Sequence, residues 1–106
     1  MYKTIDRENY YVLHPRPVYL IVTRRKQGGY NVMAASWVMP VSEDPPLVAL
    51  AISKESYTHE LIEEFKELTI NVVGEEYLDI VYRAGTITGR NTDKWNMLGL
   101  KPFTRE

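Results

Sequence analysis

The stretch from Pro17 to Met33 constrains the fold of this chain more than any other. Val18-Tyr19-Leu20-Ile21-Val22-Thr23 gathers β-branched and aromatic side chains behind Pro17, which suits a largely buried strand whose first position needs no amide donor. Arg24-Arg25-Lys26-Gln27-Gly28-Gly29 follows, and its two glycines supply positive-φ positions for a hairpin turn before Tyr30-Asn31-Val32-Met33 resumes the extended pattern. These two strands are expected to pair antiparallel. Between Met33 and Val41 small and large residues mix, and Pro40 restricts that stretch to an edge position, a bulge or a strand end. Glu43-Asp44-Pro45-Pro46 reads as a turn. Leu47-Val48-Ala49-Leu50-Ala51-Ile52 reads as a third strand, apolar on both faces, so something should pack on each side of it.

After Ser53-Lys54-Glu55 the period changes. Leu61, Ile62 and Phe65 recur at helical spacing while Glu60, Glu63, Glu64 and Lys66 fill the remaining positions, an amphipathic helix with Ser56 or Thr58 as its N-cap. Leu68-Thr69-Ile70-Asn71-Val72-Val73 alternates with period two and reads as a fourth strand ending at Gly74. A second helix is expected from about Glu75 to Ala84, with Tyr77, Leu78, Val81 and Tyr82 on its buried stripe. Gly85 to Asn91 reads as a loop, and Asp93 to Met97 as one short helix stopped by Gly99 and Pro102. Strands interleaved with short helices give an α+β chain weighted toward a small antiparallel sheet or barrel.

Composition excludes several classes of function. A chain of 106 residues, 44% hydrophobic and 25% charged, describes one ordinary globular domain rather than a disordered or low-complexity chain. Its 13 basic and 14 acidic side chains lack the positive excess that nucleic acid or an anionic membrane attracts. With no cysteine there can be no disulfide, thiolate nucleophile, iron–sulfur ligation or Cys-rich zinc site. Met1 to Asn9 scatters charges where a secretory signal needs an apolar core, and apolar runs such as Leu47 to Ile52 are too short to span a bilayer. The expectation is a soluble, cytoplasmic chain without a nucleic-acid or membrane partner.

Most catalytic constellations are missing. His14 and His59 have no second metal ligand at i+3 or i+4, Ser36 lacks the flanking glycines of a nucleophile elbow, and Gly28-Gly29 precedes a strand rather than a phosphate-binding helix. The basic run Arg24-Arg25-Lys26 falls in a turn, where charge is usually solvation. What survives is a junction, Ser53-Lys54-Glu55-Ser56-Tyr57-Thr58, together with the small-residue stretch Asn31 to Trp37 and the polar loop Gly89-Arg90-Asn91. Helix-start N–H groups, two or three hydroxyls and the Lys54 ammonium could converge there on an anion of phosphate size. Locally, plain capping by Ser56 or Thr58 explains the pattern at least as well.

Three blocks carry a resemblance. His14-Pro15-Arg16-Pro17-Val18-Tyr19-Leu20-Ile21-Val22-Thr23, Asn31-Val32-Met33-Ala34-Ala35-Ser36-Trp37, and Pro40-Val41-Ser42-x-Asp44-Pro45-Pro46-Leu47-Val48-Ala49 fall in one order and spacing. Tyr57-Thr58-His59-Glu60-Leu61-Ile62, Ile70-Asn71-Val72 and Gly85-Thr86-x-x-Gly89-Arg90-x-x-Asp93-Lys94-Trp95 continue it. Together they resemble the flavin reductase-like, FMN-binding split-barrel family, most like its archaeal ferric reductase and flavoredoxin branch, over roughly residues 14 to 102.

The resemblance implies an FMN-binding split β-barrel with short flanking helices. Ala34, Ala35, Ser36 and Trp37 would border the isoalloxazine ring, with Asn31 and Met33 at the start of the same wall. Small side chains suit that place, because they let main-chain N–H groups approach a flat ring at the atoms where charge collects on reduction. Ser53, Lys54 and Thr58, with Ser56 and Tyr57, would hold the FMN phosphate. Arg90 and Lys94 would lie near flavin or substrate and could position an anionic nicotinamide cofactor, or could be surface charges. Trp37 could equally be a core or interface aromatic. The implied activity is an oxidoreductase carrying electrons from NAD(P)H through flavin to free flavin, a ferric chelate or a protein, with a non-enzymatic FMN-binding electron carrier as the alternative. The family's relatives usually continue past residue 106 through further strands, so an open barrel is expected to meet a second subunit, a homodimer, or the rest of a longer domain.

Overall fold

A computed structural model of the chain describes residues 3, 4, 6, 8–90 and 92–101; the expectations placed on Asn91, on Pro102 and on Met1, Tyr2, Ile5 and Arg7 lie outside them. Strands β1 (Tyr19–Arg24) and β2 (Tyr30–Ala35) form the expected antiparallel hairpin in unbroken register, Tyr19 opposite Ala35 through Arg24 opposite Tyr30. Gly28 and Gly29 hold φ of 93° and 76° in its turn, where any other residue would be strained.

The mixed stretch after β2 holds a strand of its own, β3 (Val38–Ser42), paired antiparallel with β4 (Leu47–Leu50). The ladder slips between Pro40 and Ser42, a bulge that accommodates the missing proline donor. β4 is shorter than expected, and its neighbours differ from expectation. Among the described residues it pairs with β3 alone, and Leu47 and Val48 are about half exposed, so its two faces are not both covered by them. Two-sided apolarity states what a strand can bury and is silent on which element covers it.

Helix α1 (Tyr57–Phe65) starts at Ser56, whose hydroxyl accepts the His59 amide proton at 3.1 Å, and ends at Lys66 in the left-handed region with φ of 57°. Ser56, not Thr58, is therefore the cap. β5 (Thr69–Val72) joins the free edge of β1, giving a three-stranded sheet ordered β2-β1-β5 with β1 at its centre. A short 3₁₀ turn, Glu75–Tyr77, leads into α2 (Leu78–Thr86), which runs two residues into the expected loop. Its buried face is Ile80, Val81 and Ala84, whereas Leu78 and Tyr82 of the expected stripe are 72% and 70% exposed. The reason is close approach: Ala84 packs on Leu20 and Val32, and a Cβ on Gly85 would meet that of Ala34 at 3.4 Å, so small residues set the helix rotation. Helix α3 (Lys94–Met97) is capped by Asp93, which accepts from the Asn96 amide at 3.2 Å.

The period-two alternation of β1 divides the core in two. Leu20 and Val32 face α2 and α3, packing with Ala84, Trp95 and Leu98, while Ile21 and Ala35 on the opposite face pack with Val38, Leu50 and Ile70. The basic run in the hairpin turn is tied down rather than merely solvated. Arg24 pairs with Glu67, Arg25 with Asp93 at 3.2 Å, and Lys26 with Glu60 at 2.8 Å, linking the turn to α1, to the residue beyond its C-cap and to the cap of α3. Among the described residues no helix is long and apolar enough to cross a membrane.

Candidate functional site

Because β2 lies at the sheet edge, its outer side is left to other elements. The N-terminus of α1 meets β2 where Thr58 accepts from Asn31, and the end of α2 and the segment after it meet β2 where Gly85 lies beside Ala34 and Gly89 beside Asn31. Between them lies a cavity of about 320 Å³, lined by Asn31, Met33 and Ala34 of β2, Glu55 to Thr58, Ala84 to Arg90, and Lys94.

Asn31 is the hub of this cavity. It sits opposite Thr23 in the hairpin register, is 1% exposed, and donates from Nδ2 to Thr58 Oγ1 at 2.9 Å and to Thr23 Oγ1 at 3.3 Å. Its Oδ1 is buried and accepts no hydrogen bond among the described residues. That oxygen faces Gly89, where any Cβ would collide with it and would also crowd Lys94 Cε at 3.3 Å. Glycine at 89 is thus required by space.

Lys94, the first residue of α3, turns inward and is 4% exposed. Its Nζ donates to Ala84 O at 3.0 Å, a carbonyl in the last turn of α2 that has no helical partner, and no carboxylate among the described residues pairs with it. Burial pushes its ammonium down to about 8. A buried cation with spare donors and no counter-charge is a strong anion attractor. Arg90 behaves differently. It is exposed on the rim, donates to Glu60 at 2.8 Å and lies 5.1 Å over the Tyr57 ring, while Tyr57 Oη donates to Gln27 at 3.0 Å. Lys26 and Arg90 together hold the Glu60 carboxyl below the usual carboxylate range.

The structure therefore gathers Asn31, Met33, Ala34, Ser56, Tyr57, Thr58, Arg90 and Lys94 around one cavity. The other expected residues lie elsewhere. Ala35 is buried in the sheet core. The Ser36 carbonyl and that of Val38 accept from Arg16 at 3.1 and 3.3 Å, which ties down the bend between β2 and β3. Trp37 lines a second, apolar cavity of about 510 Å³ with Leu13, Met39 and Leu50. Ser53 shapes the turn before α1, its hydroxyl accepting from the Glu55 amide at 3.3 Å, and Lys54 is exposed beside it. Sequence reasoning missed Thr23, Glu60 and the packing role of Gly89. Only Gly89 carried a local signal, a glycine just before Arg90; the other two act across elements.

Comparison with known proteins completes the picture. The family described as "Flavin reductase like domain" matches residues 11–104. An uncharacterized protein of Archaeoglobus fulgidus is 41% identical over 88 residues, which cover 83% of this chain and 49% of that protein. The flavoredoxin of Desulfovibrio vulgaris (Miyazaki F) superposes with a TM-score of 0.82 at 33% identity, covering 96% of this chain and 55% of that one. An FMN-binding domain of a flavin reductases-like enzyme from Shewanella baltica OS155 gives 0.74 at 28% identity, covering 92% and 51%. This chain spans about half the length of the curated relatives it matches. Its antiparallel sheets and short helices are those of the split-barrel fold.

Proposed function

The chain belongs to the flavin reductase-like domain family, and from that premise we propose that the cavity beside β2 holds FMN, its phosphate directed toward Lys94 and the start of α1. The observation that carries this reading is the buried Lys94 ammonium without a carboxylate partner. A phosphate dianion would restore what burial takes from the charged lysine. The hydroxyls of Ser56 and Thr58 and the first N–H groups of α1 add donors, and Glu55, exposed, is the only carboxylate among the described lining residues. Asn31 stands behind this hydroxyl pair, its amide donating to Thr58.

Met33 and Ala34 would run past the isoalloxazine, where small side chains let the strand edge approach. Ser53 and Lys54 would extend the phosphate site at its outer rim. When bound, FMN supplies hydride acceptance and onward electron transfer. The residues of the chain anchor and orient it. The proposed activity is reduction of free flavin, a ferric chelate or a protein acceptor at the expense of NAD(P)H, with Arg90 released from Glu60 to meet an anionic nicotinamide cofactor. A second copy of the chain belongs to the same reading, because the apolar residues of β3 and β4 are exposed.

Titration of the purified chain with FMN, followed by flavin fluorescence with mass from light scattering, tests this. Saturable binding by a dimer supports it, and steady-state NADH oxidation with added ferric chelate then separates a reductase from an electron carrier. Absence of binding at high micromolar FMN defeats the reading for this chain.

A further inference from the structure

The hydrogen-bond polarity around Asn31 has a consequence for what the cavity accepts. An asparagine amide nitrogen carries two protons and no acceptor, and both protons of Asn31 are committed, one to Thr23 and one to Thr58. The hydroxyl oxygen of Thr58 therefore already accepts. Thr58 is 4% exposed, and no acceptor among the described residues takes its own proton. That proton can be satisfied only by something in the cavity, which Thr58 lines together with Lys94. The opposite amide orientation would place Nδ2 where the buried Oδ1 now faces Gly89, and would leave the Thr58 hydroxyl spent on Asn31.

We propose that Asn31 is a positioning residue which turns the Thr58 hydroxyl into an obligatory proton donor toward the cavity, so that the site selects a group rich in acceptors and free of protons. This rests on the flavin reading above for the identity of that group, the phosphate of FMN, and adds to it the residue that sets the sign of the contact. Asn31 acts through Thr58 rather than by touching the phosphate.

Two measurements test it. In the ligand-free, isotope-labelled protein, the Asn31 side-chain amide protons should show nuclear Overhauser contacts to the Thr23 and Thr58 methyl groups; contacts to the Gly89 α-protons instead would overturn the proposal without any ligand being involved. For binding, FMN is compared with riboflavin, which lacks the phosphate. Thr58→Val should weaken FMN about tenfold and riboflavin less than about twofold, while Thr58→Ser keeps parental affinity, as a hydrogen bond to a charged group requires. In an Asn31→Asp background the carboxylate would accept the Thr58 proton, and the further cost of Thr58→Val should fall below about twofold, a coupling that a merely structural role would not produce. An equal cost of Thr58→Val in both backgrounds, or an equal loss for riboflavin, overturns the inference while leaving FMN binding intact. Failure of the parental chain to bind FMN at all overturns the flavin reading and the ligand half of this inference with it. Should Asn31→Asp not fold, the Thr58 pair and the amide contacts decide alone.

Discussion

At the scale of the residue, Lys94 links ligand, proton and stability. Its ammonium is depressed from the ordinary 10.5 to about 8 by burial, so between those values the unfolded chain binds the proton more tightly than the folded one. Stability of the ligand-free protein should accordingly rise with pH from about 8 toward 10.5, recovering roughly 3 kcal/mol at ~1.4 kcal/mol per pH unit. Urea unfolding across that range should show the rise, and Lys94→Met should abolish it. FMN affinity has the opposite trend: as the ligand prefers the charged lysine, its Kd should weaken above pH 8 by a factor approaching about tenfold per unit, and Lys94→Met should flatten that limb. Gly89 gives an independent prediction. Gly89→Ala places a methyl group on Asn31 Oδ1, so it should destabilise the fold by about 1–3 kcal/mol and weaken FMN binding, read by thermal unfolding and titration.

At the scale of the element, α1 is placed by its ends. Ser56→Ala removes the acceptor of the His59 amide and should cost about 1 kcal/mol. Lys66→Gly relieves a left-handed residue and should gain up to about 1 kcal/mol, since the ion pair of Lys66 with Glu63 is well exposed and contributes little. Chemical denaturation of the two variants, expected to shift in opposite directions, checks both. Glu60 ties three elements together, meeting Lys26 of the hairpin turn and Arg90 of the segment before α3. Being exposed, these pairs orient the cavity rim more than they stabilise the chain.

At the scale of the whole molecule, surface is in excess. The accessible area is 8594 Å², against about 6,100 Å² for a typical folded monomer of this mass. The radius of gyration is 15.6 Å, where about 13 Å is usual for this length. Much of the surplus is apolar: Met39, Val41, Leu47 and Val48 on the β3–β4 ribbon, and Val72 at 84% exposure on the edge strand β5. A surface of this kind is normally covered. Where a second copy covers it, as proposed above, the paired substitution Met39→Glu with Val48→Lys should lower the mass in light scattering while leaving the hairpin intact.

What the linear order determines and what folding adds divide along the range of the interactions. The hairpin, the glycines of its turn and the narrowing of the α1 cap to Ser56 or Thr58 are local, set by backbone sterics and side chains within a few residues, and they were legible; the choice of Ser56 was not, and Val72, on the apolar side of the β5 alternation, is left 84% exposed. The family was legible too, because its motifs are short runs of neighbouring residues. The rotation of α2 was not, since Ala84 and Gly85 win by close approach to β2, a contact invisible to hydrophobicity. Nor was the burial of Lys94, whose flanking residues read as an ordinary polar helix start. Its environment is assembled from β2, α2 and the Gly89 turn, and only their convergence removes water from its ammonium. The sequence by itself determined which residues could hold an anion; the tertiary structure decided which of them are desolvated enough to do so, because desolvation belongs to packed elements and not to any one of them.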